Sequence, residues 1–315
     1  MSEQRIVLLV GGVGGAKLAF GLAANLPPEA LTIVVNTGDD FEHWGLHVSP
    51  DLDTVMYNLA GVANPETGWG LAGDTFETLG MMTRYAGLDW FNLGDRDLAT
   101  NLLRTAALRR GETLTAVTLT LSTALGVTHP ILPMSDQPVP TLLDTDQGPL
   151  AFQEYFVRER WQPVVRAIRF SGVEEARPSP QVEEAFRRAT AVILGPSNPY
   201  LSIDPILSIP GIRDLIVQSD TLCLAVSPII GGQAVKGPAA KMMAELGQDV
   251  SSIGVAKHYE GILKGIILDD VDQDQCASIE ALGIRAISRP ILMNTPADKA
   301  RLGREVLEWI QELTS

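Results

Sequence analysis

The chain has 315 residues, long enough for two domains or one large α/β unit around a buried core. Apolar residues make up 45% of it and charged residues 20%, with no low-complexity tract and no Gly-X-Y period, which excludes disordered, fibrous and disulfide-scaffold classes. Its 24 Lys and Arg against 38 Asp and Glu leave a net charge of −14, the wrong sign for gripping a polyanion by counterion release, so general nucleic-acid binding is disfavoured. A single nucleotide held by backbone N–H groups and a metal stays open, because those donors do not enter the charge count.

Ile6 to Val10 is a continuous β-favouring run that breaks at Gly11-Gly12-Val13-Gly14-Gly15. Ala16 to Asn25 then reads as a helix stopped by Pro27 and Pro28, and Leu31 to Val35 as a second buried strand. Strand, glycine turn, helix, strand opens a Rossmann-like, doubly wound α/β fold, whose parallel strands are unbroken apolar runs because both faces are covered. Ligands in such sheets bind at the carboxyl ends of the strands. The same grammar returns at Ala191 to Leu194, Leu222 to Val226 and Gly265 to Leu268. Between them, Asp74 to Tyr85 and Leu98 to Arg110 look helical, while Phe152 to Val157 is a strand candidate among turn residues. The expected organisation is a mostly parallel sheet from residues 1–60 and 186–315, with a smaller α+β insertion over 61–185.

The glycine cluster lets backbone N–H groups approach an anion, and a helix N-terminus adds about half a positive charge; Gly11, Gly12, Gly14, Gly15 and Lys17 are therefore candidate phosphate ligands, with a tight structural turn as the plain alternative. Counted from Gly12, G-x-G-x-x-G would need glycine where Lys17 stands, and G-x-x-x-x-G-K-[ST] does not fit either. Neither a standard NAD site nor a Walker loop is supported. Asp39 and Asp40 follow the second strand, and Asp51 and Asp53 lie in Ser49-Pro50-Asp51-Leu52-Asp53-Thr54. These four carboxylates either cap helices or share a divalent cation, and hard oxygens opposite a phosphate turn suit Mg²⁺ bridging a diphosphate. In Asn92-Leu93-Gly94-Asp95-Arg96-Asp97, Asp95 or Asp97 is a candidate N-cap with Arg96 as partner. Gly195-Pro196-Ser197-Asn198-Pro199 is a stiff turn offering polar groups to a nucleobase or ribose. Ser227 to Gly232, followed by Lys236, offers a second backbone nest and a cation.

Cys223 and Cys276 form no C-x-x-C pair, and His43, His47, His129 and His258 show no zinc spacing, since Trp44 and Gly45 make the first two part of a loop. No G-x-S-x-G elbow is present and covalent catalysis has no candidate. No segment reaches the roughly 18 to 20 apolar residues of a membrane helix, so a soluble, cytoplasmic protein is expected.

Taken together, GGVGGAK at Gly11, VVNTGDD at Val34, SPDLDT at Ser49, LGDRDLAT at Leu93, LPMSD at Leu132, GPSNP at Gly195 and VSPIIG at Val226 resemble the 2-phospho-L-lactate transferase family of coenzyme F420 biosynthesis. The match runs in order over nearly the whole chain. The resemblance implies a Mg²⁺-dependent transferase that joins the deazaflavin alcohol Fo to a lactyl, enolpyruvyl or glyceryl phosphate from a guanosine-diphospho donor and releases GMP. It implies a Rossmann-like core with a smaller domain, and a homodimer. Carried over by motif, Asp53 and Asn92 fall on deazaflavin-contacting positions; the second is often lysine in archaeal relatives, and Asp89-Trp90-Phe91-Asn92 looks closer to the bacterial branch. On that reading Asp39, Asp40, Asp51 or Asp53 hold Mg²⁺, the glycine turn binds phosphate, Gly195, Ser197, Asn198, Ser227 and Gly231 grip the guanosine, Lys236 offers a cation for phosphate, Asp95 and Arg96 join the ligand-binding residues, and Asp51 or Asp53 takes the acceptor proton. A non-catalytic UDP-sugar-binding regulator of a related group is the rival expectation, and an NAD-dependent dehydrogenase the third.

Overall fold

In the computed structural model, which describes residues 4–87, 90–218 and 221–314, the apolar runs become the seven parallel strands of one sheet. They are β1 (Ile6–Val10), β2 (Leu31–Val35), β3 (Ile131–Pro133), β4 (Ala191–Leu194), β5 (Leu222–Val226), β6 (Gly265–Leu268) and β7 (Arg285–Ser288). Their spatial order is β7-β6-β5-β4-β1-β2-β3. Period-two alternation splits each strand between two cores: Val7 and Leu9 enter one, Ile6, Leu8 and Val10 the other. With every central position buried on both faces, alternation with polar residues is impossible, which is why these strands read as continuous apolar runs.

Helix α1 (Gly12–Ala23) starts inside the glycine cluster, one residue after β1, so the glycines form its first turn rather than a loop ahead of a helix at Ala16. It packs on the C-terminal helix, Pro296–Thr314, so closely that a Cβ on Gly21 or Gly303 would land on the other helix's backbone. Helix α2 (Pro50–Leu59) has proline at its first position, where a missing N–H costs nothing. Helix α3 (Asp95–Arg109) packs against β-hairpin Phe41–Val48, whose Trp44 and Gly45 both take positive φ at the turn.

Residues 61–185 are interleaved with the sheet rather than set apart: they contribute edge strand β3, paired with β2 from Ile33↔Ile131 to Val35↔Pro133, as well as a separate three-stranded antiparallel sheet. The strand expected over Phe152 to Val157 is instead a wide helical turn, Glu154–Arg158. Aromatic and β-branched residues suggest a strand, but four-residue spacing lets Phe152 and Phe156 stack, with ring centres 5.5 Å apart and planes 11° from parallel. Asp89 lies outside the described residues. No helix among the described residues is long and apolar enough to cross a membrane.

Candidate active site

Between β1 and β4 the chain reverses its direction of progress across the sheet, and the turns that follow these two strands diverge to leave a crevice. A cavity of about 520 Å³ opens there. Its walls come from the turn after β1 (Gly11, Gly12, Gly14, Lys17), the loop after β2 (Asp39), the start of α2 (Asp51, Asp53), the segment before and into α3 (Asn92, Asp97), the turn after β4 (Ser197, Asn198) and the hairpin after β5 (Ser227, Lys236). Thirteen residues singled out in the sequence, from widely separated segments, are thus brought together.

The glycine turn is built by its neighbours. The Gly12 N–H donates to Asp51 Oδ1 at 2.6 Å, so the first N–H of α1 is capped by a carboxylate from α2. The Ser197 hydroxyl accepts from the Gly11 N–H at 3.1 Å and donates to the Gly11 carbonyl at 2.7 Å, fastening the turn after β4 to the turn after β1. Gly14 lies so close to this loop that a Cβ would land on the Pro196 carbonyl oxygen. Gly15 and Gly195 do not line the cavity; both pack on Val10, and their lack of a side chain serves this close fit. The cluster is therefore a packing device as well as a helix N-terminus facing the cavity.

The four aspartates named from the sequence are not equivalent. Asp51 accepts from Gly12 and from Asn36 Nδ2 at 2.9 Å, and burial pushes its carboxyl up to about 6. Asp53 is clamped by both terminal nitrogens of Arg104, one at 3.0 Å and the other closer, and burial raises its carboxyl against the pull of that guanidinium. Asp39 is buried and raised well above the ordinary range, first by desolvation and then by the charges of Asp51 and Asp40. Among the described residues its carboxylate accepts one side-chain bond, a long one of 3.4 Å from Asn36 Nδ2. Asp40 is not a wall residue: its Oδ2 accepts from Ser49 Oγ at 2.7 Å and meets His47 Nε2 at 3.0 Å, while Oδ1 is buried without a partner among the described residues.

The LGDRD motif is a pair of exchanged caps. Asp95 accepts the N–H groups of Glu77 and Thr78 at 2.9 and 3.0 Å, capping helix Glu77–Ala86, while Asp74 accepts those of Arg96 and Asp97 at 2.8 and 3.1 Å, capping α3. Three bonds and more to the charged form hold Asp95 well below the usual carboxylate range. Neither Asp95 nor Arg96 lines the cavity; Arg96 reaches the Ala72 carbonyl at 3.0 Å. Gly231 also lies outside, at a hairpin turn whose N–H is held by Asp272 at 2.9 Å.

Residues the sequence reading missed complete the walls. Tyr57, Trp69, Phe91, Phe152 and Phe156 add aromatic surface to the lining, suited to a flat ring system. Arg104, wholly buried, was legible only as part of a polar stripe, Asp97, Asn101 and Arg104, recurring at helical spacing along α3 and facing Asp53 and Tyr57 four apart on α2. Lys17 and Lys236 share one wall; burial lowers the Lys236 ammonium and the Lys17 charge lowers it further, so an anion between them would be welcomed. Among the described residues no three His, Cys, Asp or Glu side chains form a ready metal cluster.

A family model described as 2-phospho-L-lactate transferase CofD matches residues 6–298. A phosphoenolpyruvate transferase of Streptomyces griseus is 41% identical over 316 residues, covering 98% of this chain and 99% of the relative. A 2-phospho-L-lactate transferase of Methanosarcina mazei is 40% identical over 303 residues, covering 96% and 99%. Among solved structures, a member of the UPF0052 family from Bacillus halodurans shares the fold with a TM-score of 0.63 at 17% identity, over 98% of this chain and 99% of that one.

Proposed function

We propose, for a chain that belongs to the 2-phospho-L-lactate transferase CofD family and is a transferase, that the cavity takes a guanosine-diphospho-linked acid and the deazaflavin Fo. The phospho-acid is joined to the primary hydroxyl of Fo, giving F420-0 or dehydro-F420-0, and GMP leaves. The observation that carries this reading is that one cavity is lined both by the α1 N-terminus with Lys17 and Lys236 and by the rings of Tyr57, Phe91, Phe152 and Phe156. A diphosphate suits the first and a planar acceptor the second. Transfer between two oxygens at phosphorus needs positioning and charge neutralisation rather than a covalent nucleophile, in keeping with a cavity that holds no activated Ser or Cys among its described wall residues.

The donor set fits Mg²⁺. Asp39 and Asp51 are buried wall carboxylates, Asp40 Oδ1 is buried without a partner among the described residues, and the buried cation Arg104 is engaged by Asp53. Two carboxylates and substrate phosphates satisfy an ion that keeps its own waters, so a three-residue protein cage is not required. When bound, the ion neutralises charge developing on the diphosphate. Asp39 and Asp51 would hold it; Asp53, committed to Arg104, fixes the acceptor side instead, beside Asn92. The donor acid is lactyl, enolpyruvyl or glyceryl, groups that differ by a few atoms, and relatives named for the first two are equally near. A homodimer and a cytoplasmic setting belong to the same reading and are supported by the family resemblance.

Thermal unfolding with candidate nucleotides tests this. GDP with Mg²⁺ at about 100 times its Kd adds roughly 2.7 kcal/mol to the folded state, which for a chain of this size raises the Tm by roughly 5 °C. Stabilisation by a UDP-sugar or by NAD, with none by GDP, overturns the assignment in favour of a regulator or a dehydrogenase.

A further inference from the structure

Four carboxylates among the described residues line the cavity, and three of them have work assigned by their contacts. Asp51 caps α1 and holds Asn36, Asp53 is gripped by Arg104, and Asp39 meets Asn36 and faces the charges of Asp51 and Asp40. Asp97, in the first turn of α3, differs. Its Oδ1 accepts the Tyr57 hydroxyl at 2.7 Å, and its Oδ2 accepts no hydrogen bond among the described residues. The charged and titratable groups that bear most on it are Asp53 and Tyr57 from α2, Arg104 from its own helix and Asp74 from the loop that caps it. Asp97 therefore stands at the cavity wall against Tyr57, with one oxygen oriented by that hydroxyl and the other available.

We propose that Asp97 is the catalytic base that takes the proton of the acceptor hydroxyl, with Tyr57 as its positioning residue; this rests on the transferase reading above. The acceptor O–H bond breaks as its oxygen bonds to the phosphorus that carries the acid. The bond from that phosphorus to the bridging oxygen breaks, and its electron pair leaves with the nucleoside monophosphate. The proton moves to Asp97 Oδ2 and is lost to water after the product departs, so no further reactant is required. Tyr57 is itself buried beside Asp53 and Asp97, both of which oppose its ionisation, so it stays a hydrogen-bond donor and does not compete for the proton. Burial, then the charge of Asp53, raises the Asp97 carboxyl to about 7, against the Tyr57 hydrogen bond and the Arg104 charge, which favour its ionised form. A base is most useful with a pKa close to working pH.

The test compares wild type, D97N and Y57F in turnover of guanosine-diphospho donors with Fo and Mg²⁺ between pH 5 and 9. In wild type, kcat climbs with pH through about 7, as Asp97 loses its proton, and is flat above. D97N is expected to lower kcat by roughly 10²- to 10⁴-fold, to leave the KM for the donor within about threefold, and to abolish that limb. Y57F keeps the base but removes a hydrogen bond to its charged form, so the limb moves to higher pH while the plateau is retained. D97N with a limb and kcat like wild type overturns the role, and so does an unshifted limb in Y57F, which also decides the matter if D97N does not unfold cooperatively. Wild-type protein that turns over no donor overturns the transferase reading itself, and this role with it; wild-type turnover with unimpaired D97N overturns the role alone.

Discussion

Arg104→Met is expected to destabilise the protein by about 3–5 kcal/mol, the scale for removing one partner of a buried ion pair and leaving the other charge uncompensated. Both partners are nearly inaccessible, with 1% of the Arg104 side chain and 6% of the Asp53 side chain exposed. Water cannot replace the lost guanidinium. Burial alone disfavours the arginine's charge, but the Asp53 carboxylate more than offsets this, so the guanidinium stays charged and the pair stays ionic. The same guanidinium donates to Asn101 Oδ1 at 2.7 Å, so its loss also frees an α3 side chain. A destabilisation of this size lowers the Tm by roughly 5–8 °C. Adding D53N to Arg104→Met removes the stranded charge and should recover a large part of the loss, because the two effects are coupled through one contact. Thermal and urea unfolding of the two variants would check both statements; a single variant within about 1 kcal/mol of wild type means that the clamp does not hold α2 to α3.

Gly14→Ala is expected to cost about 1–3 kcal/mol and to weaken GDP binding at least tenfold. The new methyl would land on the Pro196 carbonyl, a backbone atom that no rotamer change can move. The first turn of α1 must then back away from the loop carrying Ser197 and Asn198, and both surfaces line the donor side of the cavity. Gly80→Ala is the matched control: it lies within helix Glu77–Ala86 with nothing near its missing Cβ, and alanine there should be neutral or stabilising by up to about 1 kcal/mol. Calorimetric titration of GDP into the two variants separates them; equal affinities would mean that the closeness of the two turns is irrelevant to binding.

The sheet was legible wherever a strand is covered on both faces. Ile6–Val10, Leu31–Val35, Ala191–Leu194, Leu222–Val226 and Gly265–Leu268 coincide with their apolar runs because nothing polar can be tolerated there. The edge strands Ile131–Pro133 and Arg285–Ser288 escaped notice: the first is short and ends in proline, and the second begins with an exposed arginine. An edge strand has one free side, so its sequence is less constrained. The turns after the strands were legible as a group, since the topology collects carboxyl ends, but the division of labour inside the group was not. Asp95 and Asp97 stand two apart in one motif, yet one points across to cap a neighbouring helix and the other lines the cavity. The glycines looked like phosphate ligands because a bare turn and a closely packed turn use the same residue; only the position of Pro196, nearly two hundred residues on, tells them apart. Arg104 and Tyr57 were hidden for a similar reason, their meaning depending on which helix each one meets.

Mass spectrometry of the products formed by the purified protein from Fo, Mg²⁺ and guanosine-diphospho esters of lactate, enolpyruvate and glycerate addresses the whole account at once. The expected result is a phosphodiester of Fo carrying one of these acids, with GMP released in equal amount. Unchanged Fo with every donor, under conditions where the folded protein binds GDP, would contradict it.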